Sequence, residues 1–133
     1  MIFIKKIITR DNGDPYLIRY YLLKTKYLRI ALHRILLSDD DCLHDHPWNF
    51  ISFILKGGYF EKFEDKNGNI KYKWYGTFSL LFRKAEWKHS LKLASGKRAL
   101  TLVLMFKYKR EWGFWTKSGW THWKNYKSTQ SCE

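Results

Sequence analysis

Residues 42–48 read Cys-Leu-His-Asp-His-Pro-Trp. In an extended segment, residues two apart point to the same face, so His44 and His46 can aim two imidazoles at one point. Imidazole is a ligand for Zn, Fe, Mn, Ni and Cu. A His-x-His pair alone is a weak signal, and its neighbours set how far it can be taken. Cys42 shares the histidine face if the strand is regular there, and a thiolate would favour a closed zinc site. The alternative is a small buried or rim residue beside an Asp-rich turn. Asp45 alternates away from the pair, either to orient an imidazole or as an ordinary acid near a loop. His33 precedes Arg34 in an apolar run, so one of the two faces inward and the other outward. His122 carries no motif.

Such a pair must be held by strands, and the chain is rich in them. Residues 2–9 and 16–23 flank the turn cluster Asp11-Asn12-Gly13-Asp14-Pro15 and read as an N-terminal hairpin. Residues 27–37, 50–55, 59–63, 70–75, 77–82, 89–93 and 99–106 are further short β-like runs. Gly57-Gly58, Asn67-Gly68 and Ser95-Gly96 punctuate them. Short strands with turns every ~8–12 residues predict a sandwich or barrel. No window of this middle region keeps a 3.6-residue apolar period over helical length. Aromatic residues make up 19% of the chain, which favours strands over helices. The fold class is all-β.

The 133 residues suit one domain. Its core covers about residues 27–106, and a basic, aromatic extension covers 107–133. In that extension Trp112, Phe114, Trp115, Trp120, Trp123 and Tyr126 alternate with Lys and Arg. It reads as a cap over the barrel or as an extra strand with a short helix.

The pattern resembles the cupin superfamily. Motif 1 of that superfamily runs from a Gly through His-x-His to a Glu and a closing Gly. His44 and His46 match the histidines, and Gly57 or Gly58 matches the closing glycine. Motif 2 carries a Pro, a Gly and a His before the last strand, and His89 matches its histidine. The resemblance spans roughly residues 32–106. The segment HDHPWNFISFILKGGYFE also looks like that of small phage-encoded and bacterial cupin-like proteins of unassigned role. The match is incomplete. The motif 1 Glu position falls on Phe50 or Ile51, its first Gly on Ser38, and the motif 2 Pro and Gly on Lys84 and Glu86.

The resemblance implies a cupin-type β-barrel, a double-stranded β-helix or jelly roll. It also implies a three-histidine site, His44, His46 and His89, for a divalent transition metal (Fe, Zn, Mn or Ni). Glu61, just past the glycine turn, replaces the missing carboxylate if it faces inward. The alternative is a surface Glu opposite Lys56 or Lys62. Glu61 and Glu86 are the candidate catalytic acid–base groups.

The formal charge is +13, from 25 Lys plus Arg against 12 Asp plus Glu. That balance attracts anions, although a Lys-rich solvated surface would look the same. Arg34, Arg83 and Lys88 are the cations nearest the histidines in sequence, and Trp48 could stack a ring, so these four are the candidate ligand-binding residues. The expected partner is a small anion such as a nucleotide, a sugar phosphate or a carboxylate. The basic surface leaves nucleic acid open, and a homodimer is open too. The expected activity is that of a metal-dependent cupin enzyme of oxygenase, isomerase or hydrolase type. The alternatives are a non-catalytic module that sequesters a small anion and a nucleic-acid-binding accessory protein. No apolar run approaches membrane-spanning length, so no membrane partner is expected. Two cysteines make no disulfide framework, which points to a cytoplasmic setting.

Overall fold

A computed structural model describes residues 4–9, 15–127 and 130–132. The expected turn at 11–14 and residues 2–3 of the first strand lie outside the described residues. The described chain forms twelve strands: β1 (Ile4–Thr9), β2 (Pro15–Lys24), β3 (Leu28–Ile35), β4 (Leu43–His44), β5 (Phe50–Lys56), β6 (Tyr59–Glu64), β7 (Ile70–Tyr75), β8 (Leu80–Arg83), β9 (His89–Lys92), β10 (Ala99–Phe106), β11 (Gly113–Thr116) and β12 (Gly119–His122). They make two six-stranded sheets, ordered β1-β2-β3-β10-β5-β8 and β12-β11-β4-β9-β6-β7. Every pairing is antiparallel.

Alternation decides what points between the sheets. On β10, Ala99, Thr101, Val103 and Met105 are buried, while Leu100, Leu102 and Leu104 face outward and are half-buried. On β3, Ala31 and Ile35 are buried and Arg34 is exposed. The interior contains two apolar clusters. Ile35, Ile54, Tyr59, Leu81 and Ala99 form one, and Tyr21, Ala31, Phe50, Val103 and Met105 form the other, with Trp48 packed on it. Gly57 turns the chain between β5 and β6 with φ +79°, where a Cβ would also collide with the Arg98 carbonyl. Both constraints call for glycine there.

The two ends of the chain are built into the sheets. The N-terminal hairpin joins the first sheet through β2, which pairs with β3 and contributes Tyr21 to the core. The extension forms the β11–β12 hairpin, and no helix occurs among the described residues, so the expected short helix is replaced by strands and turns. β11 pairs with β4, Phe114 opposite His44 and Trp115 opposite Leu43. The aromatic tail is therefore a neighbour of the histidine strand within the same sheet.

Candidate metal centre

β4 and β9 are adjacent, and His44 pairs directly with His89. His46 follows after the ladder ends. Its amide is held by the Ala85 carbonyl at 2.9 Å. The three rings meet between the sheets, with centroids 5.2 Å (His44–His46), 5.0 Å (His44–His89) and 4.7 Å (His46–His89) apart. One ligand nitrogen from each lies within 4.8 Å of the others. His89 is buried, whereas His44 and His46 are half-buried.

The hydrogen bonds define what the cluster lacks. His89 Nδ1 lies 2.7 Å from Glu61 Oε2, and His46 Nδ1 lies 3.0 Å from the Trp87 carbonyl oxygen. Both partners accept only, since the carboxylate is ionised, so both Nδ1 atoms must carry the proton and donate. In the neutral imidazoles that leaves both Nε2 atoms as bare acceptors. These two face each other at 3.1 Å. A metal ion between them, or a proton on one Nε2 that turns that ring into a donor, resolves the mismatch. Metal–imidazole bonds of about 2.0–2.1 Å place neighbouring ligand nitrogens ~3.0–3.4 Å apart, so this edge of the triad already has the spacing an ion needs.

Glu61 is the anchor of the arrangement. It is 1% exposed, at an inward position on β6. Its Oε2 accepts from His89 Nδ1, Arg83 Nε (3.1 Å) and Trp87 Nε1 (3.1 Å), and its Oε1 accepts from Arg83 Nη2 (2.8 Å). Burial alone would raise its pKa. The bonds from His89 and Arg83 outweigh burial and bring it down to about 2. The reading of Glu61 as a surface residue is therefore corrected, and its lone pairs are spent behind His89. A carboxylate that fixes the tautomer and direction of an imidazole is the usual support of a metal-binding histidine.

Burial, partly opposed by Asp39, lowers the His44 pKa to about 4. Burial, aided by the neighbouring histidines, holds His46 well below 6.5. Both are therefore neutral near pH 7, the form that binds metal.

The remaining candidates are dispersed. Arg83 is committed to Glu61. Lys88 sits over the Trp115 ring at 4.4 Å and pairs with Glu64 at 3.4 Å. Arg34 lies on the outer face of the first sheet and Glu86 is exposed beside Lys109 at 3.2 Å, so the structure brings neither to the triad. Trp48 packs on the core cluster that includes Phe50, whose ring is 4.6 Å from that of His46. His33 faces inward but accepts a bond from Arg19 Nε at 2.9 Å. His122 pairs with Glu111 at 3.0 Å on the tail hairpin.

Cys42 offers no thiolate, because it is joined to Cys132 in a disulfide. That link corrects the unpaired reading of the two cysteines, and it ties the chain end to the strand that carries His44. Asp45, 2% exposed, ties the tail from the opposite face of the same segment. It accepts from the Gly113 amide at 2.8 Å and from Trp120 Nε1 at 3.0 Å, and it pairs with Arg110 at 2.8 Å. Trp112 and Phe114 consequently lie 6.1 Å and 5.7 Å from the His44 ring. Sequence reading missed Asp39, whose carboxylate lies 3.9 Å from His44 Nε2. It belongs to a run of three Asp that reads only as a turn.

No family model and no curated protein matches the sequence. Solved structures do match. The iron(II) form of HppE superposes with a TM-score of 0.62 at 23% identity, over 78% of this chain and 56% of that one. The polyketide cyclase RemF from Streptomyces resistomycificus gives 0.63 at 13% identity, over 78% and 73%. A conserved protein of Klebsiella pneumoniae with a double-stranded β-helix domain gives 0.57 at 11% identity, over 81% and 90%. The fold is a cupin-type double-stranded β-helix. The chain spans little more than half the length of HppE, a protein whose structures include iron(II) and cobalt(II) forms and substrate complexes. The cupin-type barrel of this chain places its three-histidine cluster between the two sheets, where it could hold a metal ion.

Proposed function

We propose that this cupin-type protein binds one divalent transition metal through His44, His46 and His89 and is a metal-dependent enzyme for a small anionic substrate. The observation that carries the reading is the pair of Nε2 atoms facing each other at 3.1 Å while both Nδ1 protons are committed to acceptors. A bound ion supplies Lewis acidity with open coordination positions, and iron would add oxygen chemistry. The chain's own residues do the rest. Glu61 keeps the proton on His89 Nδ1, and the Trp87 carbonyl does the same for His46. Trp112 and Phe114 wall the His44 side against water. Glu61 is a positioning residue in this reading, and Glu86 stands apart from the chemistry. Iron, zinc, manganese and nickel all suit the donor set.

A second reading, a module that sequesters an anion without turning it over, is favoured by the tail. Its aromatic rings crowd the His44 side, and among the described residues Asp39 and Glu61 are the acids paired with the three clustered histidines. Elemental analysis of the purified protein, followed by turnover assays on nucleotides, sugar phosphates and small carboxylates, separates the two. One ion per chain with turnover supports the enzyme. One ion with binding alone supports the module. The absence of metal under anaerobic and metal-supplemented purification would end the enzyme reading and leave the module to be judged on anion binding alone.

A further inference from the structure

We propose that Arg29 is the anion-recognition residue of the metal site and takes the oxyanion head of a small molecule whose other end reaches the ion. This rests on the three-histidine reading and names the substrate class for it: a compact molecule with a carboxylate or phosphate at one end and a metal-binding oxygen at the other.

Arg29 points between the sheets. It shares the inward face of β3 with Ala31, His33 and Ile35, and its guanidinium stacks over the Trp48 ring at 5.2 Å. It stands opposite Met105, which in turn stands opposite Phe50. The Phe50 ring is 4.6 Å from the His46 ring and 6.3 Å from the His89 ring. Two strand spacings, about 10 Å, thus separate the Arg29 backbone from the residue packed on the triad, and the long side chain shortens that gap. A small molecule that bridges guanidinium and ion would lie along Met105 and Phe50.

The guanidinium is also unfinished. Arg29 Nη1 is buried with no hydrogen-bond partner among the described residues. No strand of the first sheet carries an Asp or a Glu, so its own sheet supplies no counter-ion. The second sheet's inward acid, Glu61, is taken by Arg83 and His89. A buried, unpaired donor on a charged group is costly unless something meets it. The surroundings add positive potential. Lys24 pairs with Arg29 across the hairpin and lies over the Tyr21 ring at 4.8 Å. Burial would raise the Tyr21 pKa, yet Arg19, Lys24 and Lys6 together lower it. An arginine fork placed over an aromatic ring is well suited to a carboxylate or phosphate.

The test compares anions of one and two heads. Cobalt-loaded wild type, Arg29→Gln, Arg29→Lys and the outer-face control Arg34→Gln are titrated by calorimetry with acetate, succinate and phosphoglycolate. Cobalt content and melting temperature are measured for each. Acetate can serve the ion alone, whereas the two-headed anions can also reach Arg29. Wild type and Arg34→Gln should bind at least one two-headed anion about tenfold or more tighter than acetate, the scale of one charge-assisted hydrogen bond. Succinate against phosphoglycolate identifies the head. Arg29→Gln should lose that preference with cobalt retained, and Arg29→Lys should keep part of it. An equal preference in folded Arg29→Gln and wild type, or none in wild type, overturns the assignment of Arg29 and leaves the metal reading standing. If wild type takes up no cobalt, the metal reading fails. The metal-free protein then decides for Arg29 alone, by whether succinate or phosphoglycolate binding is lost in Arg29→Gln.

Discussion

His33 and His89 both point into the barrel, one from each sheet, and their ring nitrogens meet opposite company. His33 Nε2 accepts a hydrogen bond from Arg19, whose guanidinium also reaches the Tyr21 hydroxyl at 3.1 Å. Its lone pair is satisfied by the protein. His89 gives its Nδ1 proton to Glu61 and turns a bare Nε2 toward the bare Nε2 of His46. A histidine beside a donor is complete as it stands, whereas two histidines held by acceptors need a positive charge between them, a metal ion or a proton on one Nε2. Burial does not separate the two cases. The identity of the neighbour does, since the first sheet supplies only cations and the second supplies Glu61.

Breaking each side of this comparison should have a different signature. The largest effect is expected from Glu61→Ala, which leaves Arg83 without its buried partner. A loss of about 3–5 kcal/mol is expected from urea unfolding. The milder Glu61→Gln should keep the fold and weaken metal affinity about 10–100-fold, measured by competition with a chelating dye. Cys132→Ser removes a cross-link spanning 90 residues and should cost about 2–4 kcal/mol. His33→Ala should cost about 1–3 kcal/mol, because Arg19 loses its acceptor, and should leave metal content unchanged. A loss of metal in His33→Ala would erase the distinction between the two histidine environments.

Acid sharpens the same point in metal-free protein. The folded-state pKa values of His44 (about 4), His46 and His33 lie below 6.5 because of burial. Between those values and 6.5 the unfolded chain binds more protons than the folded one, so stability falls as pH drops below about 6.5. For His44 the loss is complete near pH 4. Glu61 works in a lower window. Its pKa is depressed from 4.5 to about 2, so the stability it contributes is present above 4.5 and is lost as pH falls toward 2. Urea midpoints measured at pH 7.5, 5.5 and 4 should decline in that order.

Much of this arrangement could be read from the sequence, wherever the information was local. The two-residue period placed His44 and His46 on one face, and turn residues marked most strand ends. The phase of β3 was open between His33 and Arg34, and the structure turns His33 inward. That choice also carries Arg29 inward, four residues upstream, where distance along the chain from His44 had hidden it. Nearness in sequence selects Arg34 as a ligand residue, yet alternation sends it to the outer face. The Cys42–Cys132 link and the grip of Asp45 on Arg110, Gly113 and Trp120 join segments far apart in the chain. No spacing rule reveals such pairs. Glu61 was legible as a candidate and not as an anchor, since its role depends on Arg83 and Trp87 arriving from another strand and loop.

The central claim is that the acceptor-held imidazoles of His46 and His89, with His44 beside them, make a single cation site. Calorimetric titration of chelator-stripped protein with cobalt(II) tests it most directly, alongside the His44→Ala/His46→Ala double variant. The expected result is one ion bound per chain in wild type and none in the folded variant. Equal uptake by the two proteins, or no uptake by folded wild type, would contradict it.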